Sequence, residues 1–261
     1  MAAVVCLGAI EPPPTAAASS TDPLRLLIFS KTAGFRHESI PAGIEAITVL
    51  GREQGWVVTS TEDADEFAAG LAEADVIVFL NTTGDILDPT QQAEVESFIH
   101  GGGGFVGIHA ATDTEYEWEW YGRLVGARFA SHPQVQPASI EIVDQDHCST
   151  SMLPQHWERT DEWYNFRELP RDVTILAKLD ESSYQGGSMD GDHPIIWCHE
   201  FDGGRAWYTA CGHTIESFSE PLFLRHLTGG IQWASGRDSL IGAKEKAGQE
   251  PPPLKGQPDS Q

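Results

Sequence analysis

The chain has 261 residues, with 39 acidic against 16 basic side chains and a formal net charge of −23. That balance excludes a nucleic-acid backbone or an anionic membrane surface as the main partner, because both call for clustered positive charge. Hydrophobic residues make up 40% of the chain, enough for a packed core, and no apolar run approaches the roughly 18 residues of a membrane-spanning helix.

Residues 1–23 begin with a short apolar run, Met1 to Ile10, and pass into the Pro-, Ala- and Ser-rich stretch EPPPTAAASSTDP. This is the composition of a disordered segment, or of a shortened export signal without its basic n-region. The second option tilts the location toward export, with the cytoplasm as the alternative. Residues 236–261 contain Pro251, Pro252 and Pro253 and read as a disordered tail. The folded domain is therefore expected over 24–235, and nearly all the excess negative charge falls within it.

Inside that segment the pattern alternates. LRLLIFS (24–30) is a continuous apolar run, as in a strand buried on both faces. Residues 41–54 follow as a helix with Ile40, Ile44 and Ile47 on one side. WVVTST (56–61) is a strand, 66–74 a short helix and DVIVFLN (75–81) a third strand. Asp88 followed by Pro89 is a helix start, and that helix runs to about His100. The four glycines 101–104 stop it, and FVGIHAA (105–111) is the fourth strand. Strict alternation of strand and helix implies right-handed crossovers and a parallel, doubly wound α/β sheet.

The second half is richer in β-structure. Residues 139–144, 172–179, 195–201 and 205–211 read as strands, the last two joined at Gly203-Gly204 as an antiparallel hairpin. A helix over 221–234 closes the domain. Cys6, Cys148, Cys198 and Cys211 include no C-x-x-C pair, which removes a thioredoxin-like motif and a zinc ribbon. Cys198 and Cys211 sit on the two hairpin arms but not directly opposite, so a disulfide between them is neither required nor excluded.

In open parallel sheets ligands bind beyond the carboxyl ends of the strands. Three such ends carry polar groups here: Lys31, Arg36 and His37 after the first strand, Asn81 after the third, and His109 with Asp113 after the fourth. His109 follows an apolar strand where related architectures mount a nucleophile. The surrounding G-x-H-A is not G-x-S-x-G, which excludes a serine hydrolase of that design. The run Gly101–Gly104 precedes a strand rather than opening a helix, so it is not a phosphate cradle.

Further candidates are His132, the run Asp161-Glu162-Trp163-Tyr164, and His213. Each also has a plain structural reading: a loop histidine, a solvated acidic pair, a near-core imidazole. The stretch Glu115 to Tyr121 mixes carboxylates with aromatics, either to grip a sugar or as a helix burying Trp120 and Tyr121. His100, His147, His156 and His226 read as surface or element-end residues, and His193 and His199 as structural.

Five segments carry a resemblance. KTAGFRHESI (31–40), GIHAATDT (107–114), ASHP (130–133), DEWYNF (161–166) and HPIIWCHEFDGGRAWYTACGHT (193–214) resemble the ThuA-like family, named for trehalose utilisation, in order over about residues 24–235. The resemblance implies a fold similar to class I glutamine amidotransferases: flavodoxin-like, a doubly wound and mainly parallel sheet, here with the hairpin section appended. It implies a role in disaccharide or keto-sugar catabolism, with His37, His109, His132, Asp161, Glu162 and His213 as the characteristic polar positions. His109 stands where amidotransferases carry their cysteine, so their chemistry does not transfer.

Two functions fit these residues. One is an enzyme in which His109 and His213 act as base and acid with Glu162 or Asp161 orienting them, because imidazole exchanges protons near neutrality. Lys31, Arg36, His37, Asn81, Asp113, Trp163 and Tyr164 would then bind the sugar. In a metal-assisted version, His37, His109, His132 and His213 would supply nitrogens to a divalent ion such as zinc. The other is a non-catalytic sugar-binding or accessory module that lost its nucleophile. A small sugar is the expected partner in both, and self-association is compatible with either.

Overall fold

Apolar runs that hydrogen-bond side by side form the centre of the molecule, and the computed structural model describes them within residues 22–237. The terminal segments expected to be disordered lie outside the described residues, except for residues 22, 23, 236 and 237. The strands are β1 Arg25–Phe29, β2 Val57–Thr61, β3 Val76–Leu80, β4 Gly104–Ile108, β5 Phe129–Ser131, β6 Gln136–Ile142, β7 His156–Asp161, β8 Asn165–Phe166, β9 Thr174–Leu179, β10 Pro194–Phe201 and β11 Gly204–Thr209. The helices are α1 Ile40–Gln54, α2 Ala64–Gly70, α3 Pro89–His100, α4 Glu119–Val125 and α5 Pro221–Ala234. Among the described residues no helix is long and apolar enough to cross a membrane.

Nine strands form one sheet in the order β2-β1-β3-β4-β11-β10-β9-β6-β7, and β5 pairs with β8 apart from it. The first five are parallel throughout; the rest extend the sheet by antiparallel pairs. The hairpin is thus not an addition at the margin. Its second arm, β11, lies parallel beside β4, so the sheet continues through it. Every residue of β3 and β4 is buried, as their unbroken apolar runs require.

Local signals set most boundaries. The Asp88 carboxylate accepts from the amides of Thr90 and Gln91, and the Asp88 amide donates back to Gln91 Oε1, a reciprocal cap with Pro89 in the first turn. The second helix begins earlier than expected, at Ala64, because Asp63 caps it through the amides of Asp65 and Glu66. The fourth strand ends at Ile108 and not at Ala111: His109 turns the chain with φ 48° into a short 3-10 stretch, 109–113.

Two readings change, and one open alternative is decided. Residues 156–161 form β7, which the sequence pattern did not reveal, with Trp157, Arg159 and Asp161 alternating inward. Glu119–Val125 is a helix that buries Tyr121, while the half-buried Trp118 and Trp120 stack on each other and donate to Glu96 and Asp202. His226 is fully buried in α5 and is not a surface residue. Its Nδ1 donates to the Ser149 carbonyl, its Nε2 accepts from Thr209, and its ring lies 4.8 Å from that of Trp207. Cys198 and Cys211 are both free.

Burial in this setting pushes the His226 pKa down to about 3. The folded state therefore binds fewer protons than the unfolded chain below the ordinary histidine value of about 6.5. His226 should contribute stability fully above that value and lose it as pH falls toward 3, by up to about 1.4 kcal/mol per pH unit. Urea unfolding of the native chain and of His226→Gln at pH 7 and pH 5 measures this. The variant is expected to be less stable at pH 7 but to show the shallower pH dependence; equal slopes would contradict the assignment.

Candidate active site at the carboxyl edge of the sheet

Four turns that leave β1, β3, β4 and β11 at their carboxyl ends meet on one edge. Each is held by a polar brace beneath it. Asn81, itself at φ 52°, donates through Nδ2 to Ser39 Oγ and to the Gly212 carbonyl, tying the segments after β1, β3 and β11 together. Gly212 sits at φ 115°, where a side chain would be strained and where a Cβ would come within 2.9 Å of Ile108. This turn presents His213.

Glu162 arrives from the end of β7, across the sheet. Asp161 secures the junction. One of its oxygens accepts from the amides of Glu162 and His213, both at 3.0 Å. The other accepts from the Gly212 amide at 2.9 Å, from Arg159 at 3.0 Å and from Ser217 at 3.2 Å. Arg159 is buried as well and stacks over the rings of Trp157 and Phe223.

The Glu162 carboxylate is shared by three imidazoles. Its Oε2 lies 3.1 Å from His213 Nδ1 and 3.4 Å from His109 Nε2, and its Oε1 lies 2.9 Å from His132 Nδ1. His109 Nδ1 is 2.8 Å from the Ala210 carbonyl, which can only accept, so Nδ1 carries a hydrogen and, in the neutral ring, Nε2 presents a lone pair. His213 Nδ1 is also 3.3 Å from that Nε2. The His37 ring stands edge-on to those of His109 and His213, with centroids 4.9 and 5.1 Å away. Ligand atoms of His37, His109, Glu162 and His213 all fall within 4.8 Å of one another.

Electrostatics separate these groups. Burial would raise the Glu162 pKa, but the neighbouring imidazoles of His109 and His213 overcome it and hold the carboxyl well below the usual range. Burial likewise opposes protonation of His213, and Glu162 outweighs it, so its pKa is raised. His37 has no such partner: burial and the neighbouring imidazoles push it down to about 3.

The expected site residues divide accordingly. His37, His109, Glu162 and His213 meet directly, with His132 attached on the far oxygen of Glu162 and its side chain 42% exposed. Asp161 and Asn81 lie beneath them as braces. Tyr164 packs its ring 4.1 Å from His109, while Trp163 is fully buried and donates to the Gln136 carbonyl. Asp113 is near enough to feel His109 and His132; burial raises its pKa against the hydrogen bond that Tyr116 donates at 2.5 Å. Arg36 is exposed and ion-paired with Glu62, and Lys31 donates to the Ile86 carbonyl, so both are engaged elsewhere. Phe35 was not among the expected residues. It is 65% exposed, and its ring lies 4.9 Å from that of His37. A cavity of about 700 Å³ between α1 and α5 includes none of these groups.

Fold and cluster together define a mixed α/β protein with a large, partly parallel central sheet and a group of imidazoles at its carboxyl edge. The sequence matches the ThuA family, described as trehalose utilisation, over residues 25–234, and the chain belongs to that family. A ThuA-like protein from Bacteroides uniformis is similar in structure, with TM-score 0.69 and 25% identity over 86% of this chain and 95% of that one. Another from Parabacteroides merdae has TM-score 0.68 and 17% identity over 82% and 90%. A β-galactosidase from Bacillus circulans sp. alkalophilus shares the fold alone, with TM-score 0.55 and 14% identity over 82% of this chain and 31% of that one. No curated protein matches the sequence.

Removing one member of a buried ion pair leaves the other uncompensated, at a cost of about 3–5 kcal/mol. Asp161→Ala should lose stability toward the lower end of that scale in urea unfolding, because Arg159 Nη1 still has Glu220 at 3.3 Å. Asp161→Asn, which keeps one accepting oxygen, should lose less. Near-wild-type stability of Asp161→Ala would show that Arg159 does not depend on it.

Proposed function

We propose that this chain is an enzyme of carbohydrate catabolism, acting on a disaccharide or keto-sugar by proton transfer among histidines and a carboxylate. The observation that carries the reading is Glu162 shared by His109, His213 and His132 at the carboxyl edge of the sheet. A buried, ionised carboxylate beside a histidine whose affinity for protons it raises is an acid–base pair within hydrogen-bond reach. His213 is placed to give a proton to a sugar oxygen and His109 Nε2 to accept one. Asp113 and Tyr164 flank the pair where a substrate hydroxyl would approach.

The family's link to trehalose utilisation supports a sugar as substrate. Phe35 adds a physical reason, because an exposed aromatic face beside a polar cluster suits the apolar face of a sugar ring. The strand order β2-β1-β3-β4-β11 supports a flavodoxin-like sheet, related to amidotransferases in architecture and not in chemistry.

The test is incubation of the purified chain with trehalose, other disaccharides and their 3-keto forms, followed by NMR of the products. Glu162→Gln should lower turnover by about 100-fold or more. Phe35→Ala should raise KM by about tenfold and leave kcat nearly unchanged, as expected when binding shared by ground and transition states is removed. Sugar binding without turnover in every condition would instead make the chain a binding module.

A further inference from the structure

The inner face of the cluster contains more lone pairs than its hydrogens can satisfy. In the neutral ring His109 Nε2 is an acceptor, because the one hydrogen sits on Nδ1 and is committed to the Ala210 carbonyl. The Oε2 of Glu162, also an acceptor, faces it at 3.4 Å. A single N–H on His213 Nδ1 stands between them, at 3.1 and 3.3 Å. Alongside, the Nδ1 of His37 is buried with no hydrogen-bond partner, in a residue only 3% exposed. An orphaned buried nitrogen costs about 1–3 kcal/mol, and native proteins rarely keep one without a use.

A cation resolves all of these at once. Around a tetrahedral ion with bonds of about 2.0–2.1 Å, donor atoms lie roughly 3.3 Å apart. The three measured separations among His109, His213 and Glu162 are 3.3, 3.4 and 3.1 Å. Three imidazoles with one carboxylate suit a first-row transition ion, whereas calcium and magnesium favour sets made of oxygen. The would-be ligands are themselves held in place: the Ala210 carbonyl orients His109, and His132 holds the remaining oxygen of Glu162.

We propose that the chain binds one divalent transition-metal ion of the zinc class through His37, His109, His213 and Glu162 Oε2, with His132 as a positioning residue on Glu162 Oε1. His132, expected from the sequence as a ligand, moves outward by one hydrogen bond, and Glu162 takes its place. The inference rests on the same cluster as the catalytic reading and changes its agent. When bound, the ion would supply Lewis acidity toward a sugar oxygen, with His109 and His213 as ligands and proton exchange left to the partly exposed His132.

Metal content settles the matter without reference to activity. The full chain is stripped with a chelator, dialysed against zinc and measured by mass spectrometry, and a cobalt-loaded sample is read by visible absorption. About one zinc per chain is expected, with loss to below about 0.1 in His37→Ala and in the near-isosteric Glu162→Gln, each checked for folding by circular dichroism. His132→Ala should still bind, with affinity weakened about tenfold. Less than about 0.1 zinc per native chain after loading would overturn the proposal, as would variants that bind as the native chain does. Turnover that survives chelation would take the ion out of the reaction and leave the proton-transfer reading intact. A bound ion without turnover on any sugar would uphold the metal site and defeat the enzyme.

Discussion

One buried carboxylate, that of Asp161, determines where the rest of the edge can be. It ends β7, pairs with Arg159 and accepts the amides of Gly212 and His213 from the turn after β11. Two segments about fifty residues apart are thereby locked in register, and Glu162, the next residue in the chain, is delivered beside His213. The pair is costly to bury, because both charges leave water. Its five hydrogen bonds at the carboxylate and the rings of Trp157 and Phe223 around the guanidinium offset that cost.

A second constraint acts at His109. A residue with a Cβ at φ 48° is strained, and it persists only where its surroundings over-determine it. Here the Tyr208 hydroxyl donates to its carbonyl, Ala210 holds its Nδ1, and Tyr164 covers its ring. The strain turns the chain abruptly off β4, so the imidazole stands above the sheet instead of lying along it. Strain at the centre of a polar cluster supports the proposed site.

The alternating half of the fold was legible because its signals are local: unbroken apolar runs in β1, β3 and β4, Asp88-Pro89 at the start of α3, and the Gly203-Gly204 turn. β7 was not legible. Its inward positions include Arg159 and Asp161, and a pattern reading assigns charges to solvent. His226 misled in the same way, since an imidazole in an amphipathic helix reads as polar surface until the partners that bury it are known. The site was partly legible. Histidines following strands marked the edge, but nothing local distinguished Glu162 at the centre from Arg36, whose charge is engaged with Glu62.

The sequence by itself determined the alternating strands and helices, the acidic surface, and the sheet edge on which the histidines stand, because these depend on periodicity and on chain direction. Tertiary structure alone decided which of those side chains meet. Distances of about 3 Å between residues 50 to 100 positions apart arise from strand order and from buried hydrogen bonds, and neither is written in local pattern. That is why His132 stands one step outside the cluster and the glutamate that follows β7 stands at its heart.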